Sequence, residues 1–111
     1  MITSSEHNEQ VGFVTWFYLK FPEILLFAIP NGEYRNISVA KKLKQEGVVP
    51  GVPDLFIPEW KLWIEMKQMK GGVVSKEQER IHTYLRGIGH TVIIGYGAED
   101  ASRKVLGMIK K

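Results

Sequence analysis

The sequence predicts a single α/β domain over residues 1–111, with a mixed central sheet of about four strands flanked by helices. Three observations carry that expectation. Helix-capping patterns and helical spacings alternate with short apolar, β-branched runs; glycine and proline separate these segments; and their order is helix, strand, helix, strand, strand, helix, strand, helix. A chain of this length suits one compact core. Its 44% hydrophobic and 24% charged residues are ordinary globular composition, not that of a disordered chain.

The first helix is expected over about Ser4 to Lys20, opened by the capping pattern Thr3-x-x-Glu6 and stopped before Pro22. Val11, Phe13, Val14, Trp16 and Phe17 give it a broad apolar surface. Ile24 to Ile29 reads as a buried strand closed by the turn Pro30-Asn31-Gly32. Ile37 to Glu46 is helical, with Ser38 near its start and Gly47 just past its end. The prolines and glycine of Val48-Val49-Pro50-Gly51-Val52-Pro53 forbid a regular helix and bring the chain in extended form to Asp54. Asp54 to Ile57 and Leu62 to Lys67 then form a hairpin about a turn at Pro58 to Lys61. Gly71-Gly72 break the chain, and Ser75-x-x-Gln78 is a capping box opening a helix to about Arg86, with Ile81 and Leu85 facing inward. Thr91 to Tyr96 is a strand, and Ala98 to Lys110 a helix with acids first and lysines last, as its dipole prefers.

The absence of cysteine excludes disulfides, thiolate metal sites and cysteine nucleophiles, so any metal must be held by oxygen or imidazole ligands. A net charge of +3 and a pI near 9.2 favour an anionic partner such as nucleic acid without deciding for it. Glu6, His7 and Glu9 stand where a signal peptide would carry positive charge. The longest apolar run, Ile24 to Ile29, is far short of the roughly 20 residues of a membrane span. A soluble, cytoplasmic protein without a membrane partner is expected.

The chemistry-bearing residues converge on the hairpin. Period-two alternation puts Leu62, Ile64 and Met66 on one face of the second strand and Trp63, Glu65 and Lys67 on the other. Antiparallel pairing brings Asp54 near Glu65 and Lys67. Paired carboxylates suit a hard divalent cation such as Mg²⁺, which can polarise a phosphoryl group and lower the pKa of a bound water. Lys67 would orient that water or stabilise transition-state charge. An isolated Glu-x-Lys is more often a solvated surface pair. Here the neighbours Leu62, Trp63, Ile64 and Met66 suggest a strand covered on both faces, where unpaired charges are costly.

The run Gly51-Val52-Pro53-Asp54-Leu55, then Leu62-Trp63-Ile64-Glu65-Met66-Lys67 and Ser75-x-x-Gln78, resembles the VRR-NUC family of the PD-(D/E)xK nuclease superfamily. Asn31-Gly32 with Arg35, and Glu6-x-x-x-Gln10, extend the resemblance over nearly the whole chain. It implies a restriction-endonuclease-like core, with Asp54 and Glu65 as metal ligands, the Met66 backbone carbonyl as a further ligand, and Lys67 as the catalytic lysine. Gln78 would begin the following helix within reach of the site, or serve only as the capping partner of Ser75. Glu6 would supply an additional metal-side carboxylate with Gln10 one turn later in support, although Glu9 lies close to the same helical face.

The resemblance further implies a Mg²⁺- or Mn²⁺-dependent endodeoxyribonuclease, similar to compact Holliday-junction resolvases that act as homodimers on branched DNA. A nuclease preferring flaps or nicked duplex, and a non-catalytic nucleic-acid-binding domain, are the alternatives. Arg35, Lys41, Lys42, Lys44, Lys70 and Lys76 are candidate phosphate contacts, though surface lysines are more often simply solvated. His7, His82 and His90 lack metal-ligand spacing and receive no role. Trp16, Trp60 and Trp63 are most simply core or interface residues, and Trp60, in the hairpin turn, is also a candidate for stacking on a base.

Overall fold

The computed structural model describes residues 5–30 and 37–109, so Thr3, Arg35 and the Asn31-Gly32 turn lie outside the described residues. The elements are α1 (Glu6–Lys20), β1 (Phe27–Ala28), α2 (Ile37–Gln45), β2 (Leu55–Ile57), β3 (Leu62–Lys67), α3 (Lys76–Gly87), β4 (Thr91–Tyr96) and α4 (Ala98–Ile109). This is the expected order. The sheet runs β1-β2-β3-β4, with β1–β2 and β2–β3 antiparallel and β3–β4 parallel through the α3 crossover. Among the described residues no helix is long and apolar enough to cross a membrane.

The alternation along β3 decides how the layers form. Leu62, Ile64 and Met66 are fully buried, with Leu55 and Ile57 of β2 and Ile93 of β4, against Phe13 and Phe17 of α1 and Ala101 and Val105 of α4. On the opposite face, α3 packs over β4 and buries His82 and Leu85. Burial of side chains this size is worth about 1.5–3 kcal/mol each, so the α1/α4 layer is the main source of stability. Alpha2 stands apart, its Ala40 and Leu43 half-buried and its Lys41, Lys42 and Lys44 exposed.

Two local expectations need correction. Ser5, not Thr3, caps α1: its side chain accepts the Asn8 N–H at 3.1 Å. The strand expected over Ile24 to Ile29 is paired only at Phe27 and Ala28. Its earlier residues are tied elsewhere, since the Tyr18 hydroxyl donates to the Leu26 carbonyl and accepts the Leu26 N–H, and the Ile24 N–H donates to the Phe21 carbonyl. Trp60 packs edge-on against Phe17 and Phe21, with ring centroids 5.8 and 5.2 Å apart, so it belongs to the core layer, the simplest of its readings from sequence.

The extended segment before Asp54 crosses the first turn of α3 at Gly51. Its φ is +93°, and a Cβ there would lie 2.5 Å from the Glu77 carbonyl oxygen. Gly51→Ala therefore combines a left-handed-region penalty with a backbone clash. We expect it to lower unfolding free energy by about 1–3 kcal/mol in denaturant titrations, and an unchanged midpoint would contradict the close packing of this segment on α3.

Candidate active site

The site forms where β2 parts from β3. Register pairs Leu55 with Ile64, so Asp54 continues opposite Glu65. Strand pairing ends there, and the Met66 N–H finds the Asp54 side chain instead, donating to Oδ2 at 2.7 Å. The Asp54 carbonyl accepts from Ile29 N–H at 2.8 Å, fixing the residue from its other side. A strand residue points its N–H and C=O to the same side and its neighbours point to the other. The Lys67 carbonyl accepts from Gly97 N–H at 2.9 Å on the β4 side, so the Met66 carbonyl faces the gap beside Asp54.

Glu65 is 2% exposed. Its Oε2 accepts from Gln78 Nε2 at 3.2 Å, and its Oε1 lies 3.3 Å from His82 Nε2. Burial pushes the Glu65 carboxyl up to about 9, with further upward pushes from the charge of Asp54 and a hydrogen bond to its carboxyl. The positive charge of Lys67 opposes this, and Glu6 adds to it. His82 is 1% exposed; burial, then the charges of Arg86 and Lys67, hold its imidazole below the usual histidine range. A neutral ring beside Glu65 makes the contact a hydrogen bond and not an ion pair.

Asp54, Glu65, Lys67 and Gln78 thus meet on one face, with Lys67 nearly buried at 9% exposure. The capping box of α3 is complete: Ser75 Oγ accepts from Gln78 N–H at 3.1 Å while Gln78 Oε1 accepts from Ser75 N–H at 2.8 Å. Gln78 therefore caps through its oxygen and reaches Glu65 through its nitrogen, so both readings of this residue hold in the geometry. His82, given no role from sequence, is the missing member. Its signal was its position one helical turn after Gln78, which places both on one face of α3.

Glu6 and Glu9 separate into different tasks. The Glu9 Oε1 accepts from Ala98 N–H at 2.7 Å, capping α4 across the molecule and stabilising its N-terminal dipole end. Glu6 is exposed and acts on Glu65 through its charge. Gln10 is half-buried one turn further along α1. Lys70 and Lys76 are exposed at either end of the segment joining β3 to α3, and Lys41, Lys42 and Lys44 lie on the separate α2. His90 also has a partner, accepting from Trp63 Nε1 at 2.8 Å.

A mixed four-stranded sheet with a carboxyl pair at the parting of its central hairpin defines an α/β fold. The solved structure of a "VRR_NUC domain protein" superposes with a TM-score of 0.80 over 99% of this chain and 92% of that one, at 19% sequence identity. The chain has the VRR-NUC fold. No family model matches the sequence, and neither does any curated protein.

The raised Glu65 value has a signed consequence. A folded carboxyl at about 9, against 4.5 for the ordinary group, keeps its proton in the native state after the unfolded chain has lost it, so stability falls as pH rises across that window. Glu65→Gln, a neutral isostere of the protonated acid, is expected to melt higher than the wild type in EDTA at alkaline pH, with a gap that closes toward pH 4.5. Parallel melting profiles across the range would contradict the assigned shift.

Proposed function

We propose that this chain is a VRR-NUC nuclease that hydrolyses DNA phosphodiester bonds with Mg²⁺ or Mn²⁺, acting as a homodimer on branched DNA of the Holliday-junction type in the cytoplasm. The observation that carries the reading is the confrontation of Asp54 and Glu65 on a buried strand, where two carboxyls in contact must share a proton or a cation. The donor set suits a hard cation: the Asp54 and Glu65 carboxyls and the Met66 carbonyl would supply it, and all are oxygens. Among the described residues no three His, Asp or Glu side chains form a ready-made cage. Waters and substrate oxygens would have to complete the shell, as they commonly do around Mg²⁺.

Such a cation supplies Lewis-acid polarisation of the phosphodiester and acidifies a water. The chain's residues do the rest. Gln78 and His82 fix the two oxygens of Glu65, and the Met66 N–H fixes Asp54, so both carboxylates are oriented before substrate arrives. Lys67 brings positive charge to the same face, where it stabilises the negative charge that builds on the attacked phosphoryl group and orients the attacking water. Glu6 deepens the negative potential. Arg35, Lys41, Lys42, Lys44, Lys70 and Lys76 would hold the flanking phosphate backbone.

Labelled four-way junction, flap, nicked duplex and single strand, incubated with Mg²⁺, Mn²⁺ or EDTA, test the activity. Junction cleavage should exceed the others and stop in EDTA. Asp54→Asn should abolish it, and Lys67→Ala should slow it about 10²–10³-fold, the range for loss of a group that stabilises developing charge. Equal cleavage of flaps and junctions would remove the junction preference, and a light-scattering mass of one chain would remove the homodimer. Because Glu65 must lose its proton to bind a cation, Mn²⁺ affinity measured by calorimetry should rise with pH toward about 9. His82→Ala should weaken that affinity about 10–100-fold through the freed Glu65 oxygen, and an unchanged affinity would reduce His82 to packing.

A further inference from the structure

The face that carries Asp54 and Glu65 also carries a row of aromatic rings outside the buried core. Phe27 of β1 is 40% exposed and sits opposite Phe56 of β2, edge to face at 5.8 Å. Phe56 sits opposite Trp63 of β3, stacked at 4.1 Å and 27°. His90 completes the row, its ring 8° from the Phe56 plane and 19° from that of Trp63. Phe56, Trp63 and His90 are half-buried, while α3 covers the neighbouring β4.

We propose that this row is a stacking platform for an unpaired nucleobase, seating one single-stranded nucleotide beside the phosphodiester presented to Asp54 and Glu65. The proposal rests on the nuclease reading above and names what its site would recognise. Position argues first: Phe56 is two residues beyond Asp54 and Trp63 two before Glu65, about 7 Å along each strand on the same face. That is the reach from a phosphate to a base on its own strand. Chemistry argues second. The row holds no carboxylate, and the polar edges of Trp63 and His90 are turned to each other at 2.8 Å, so its accessible surface, that of Phe27 above all, is aromatic with few free donors. Such a surface takes any planar base and reads no sequence. Paired bases in a duplex keep their faces covered by their neighbours, so the platform takes a base that leaves the stack at a branch point, which an unbroken duplex does not offer.

Cross-strand aromatic pairing that merely stabilises the sheet is the competing account. Tryptophan fluorescence separates them, because Trp16 and Trp60 pack against the core and Trp63 does not. The full chain is titrated with an oligothymidylate single strand and with a blunt hairpin duplex, in EDTA and again with Ca²⁺. The single strand should quench emission, the quench should vanish in Trp63→Phe, and Phe27→Ala should weaken single-strand binding about tenfold while leaving duplex binding unchanged. Phe27→Leu keeps apolar bulk without a π face and should behave like Phe27→Ala. Circular dichroism confirms that each variant is folded.

Absence of quenching, quenching that survives in Trp63→Phe, full affinity in Phe27→Leu, or equal weakening on duplex and single strand would each overturn the platform. So would a drop from dimer to monomer in Phe27→Ala, which would give this surface to a second copy of the chain. A chain that stacks the single strand and cuts nothing overturns the nuclease reading alone. One that cuts without engaging Trp63 overturns the platform alone.

Discussion

The hydrogen bond from the Met66 N–H to the Asp54 carboxylate is the constraint on which the rest of the site depends. It stands where a backbone rung of the β2–β3 ladder would otherwise continue. By substituting a side chain for a strand, it opens the sheet for one residue while leaving no buried N–H unpaired. Strand alternation turns the Met66 carbonyl toward the same opening, and the Leu55–Ile64 register sets Asp54 against Glu65. Pro53, buried just before Asp54, and Gly51, pressed on the first turn of α3, hold the incoming chain at the angle this needs.

The arrangement is electrostatically unfavourable, and the core layer is what maintains it. Two carboxyls in contact, one of them 2% exposed, cost free energy in any state that ionises both. On the other face of the same strand, Leu62, Ile64 and Met66 are fully buried and contribute about 1.5–3 kcal/mol each. Alternation couples the two faces rigidly. A one-residue slip of β3 would relieve Glu65 only by turning all three apolar side chains out, so the core term wins and the carboxyl stays. Gln78, His82 and Lys67 lessen the residual cost with hydrogen bonds and an opposite charge.

Much of the fold was legible because its signals are local. The period of two in Leu62 to Lys67, the capping box of Ser75 and Gln78, and the β-branched run at Thr91 each specify an element without reference to the rest of the chain. The apolar run from Ile24 overstates the strand because the Leu26 backbone takes the Tyr18 hydroxyl as its partner, and hydrophobic periodicity carries no information about a side-chain-to-backbone hydrogen bond. His82 was passed over for the same kind of reason. Its one local signal, a place one helical turn after Gln78, does not reveal a contact with Glu65 that spans 17 positions and the whole β3–α3 connection. Glu6 and Glu9 could not be distinguished in sequence because the Ala98 amide that engages Glu9 lies 89 positions away.

The topology also explains why the site sits where it does on the sheet. A parallel β3–α3–β4 connection lays its crossover helix over the strands it joins, while the antiparallel strands β1 and β2 need no covering element. Glu65 therefore stands on a border. On its α3 side it is buried, and burial is what lets Gln78 and His82 hold its two oxygens in fixed directions. On its β2 side lie Asp54, the Met66 carbonyl and the aromatic row, of which Asp54, Phe56, Trp63 and His90 are half-buried and Phe27 exposed. Moving the pair one strand toward β4 would bury it without access; one strand toward β1 would remove the helix that orients it. Orientation and access are compatible only at the seam between the parallel and antiparallel halves, where this chain places its carboxyls.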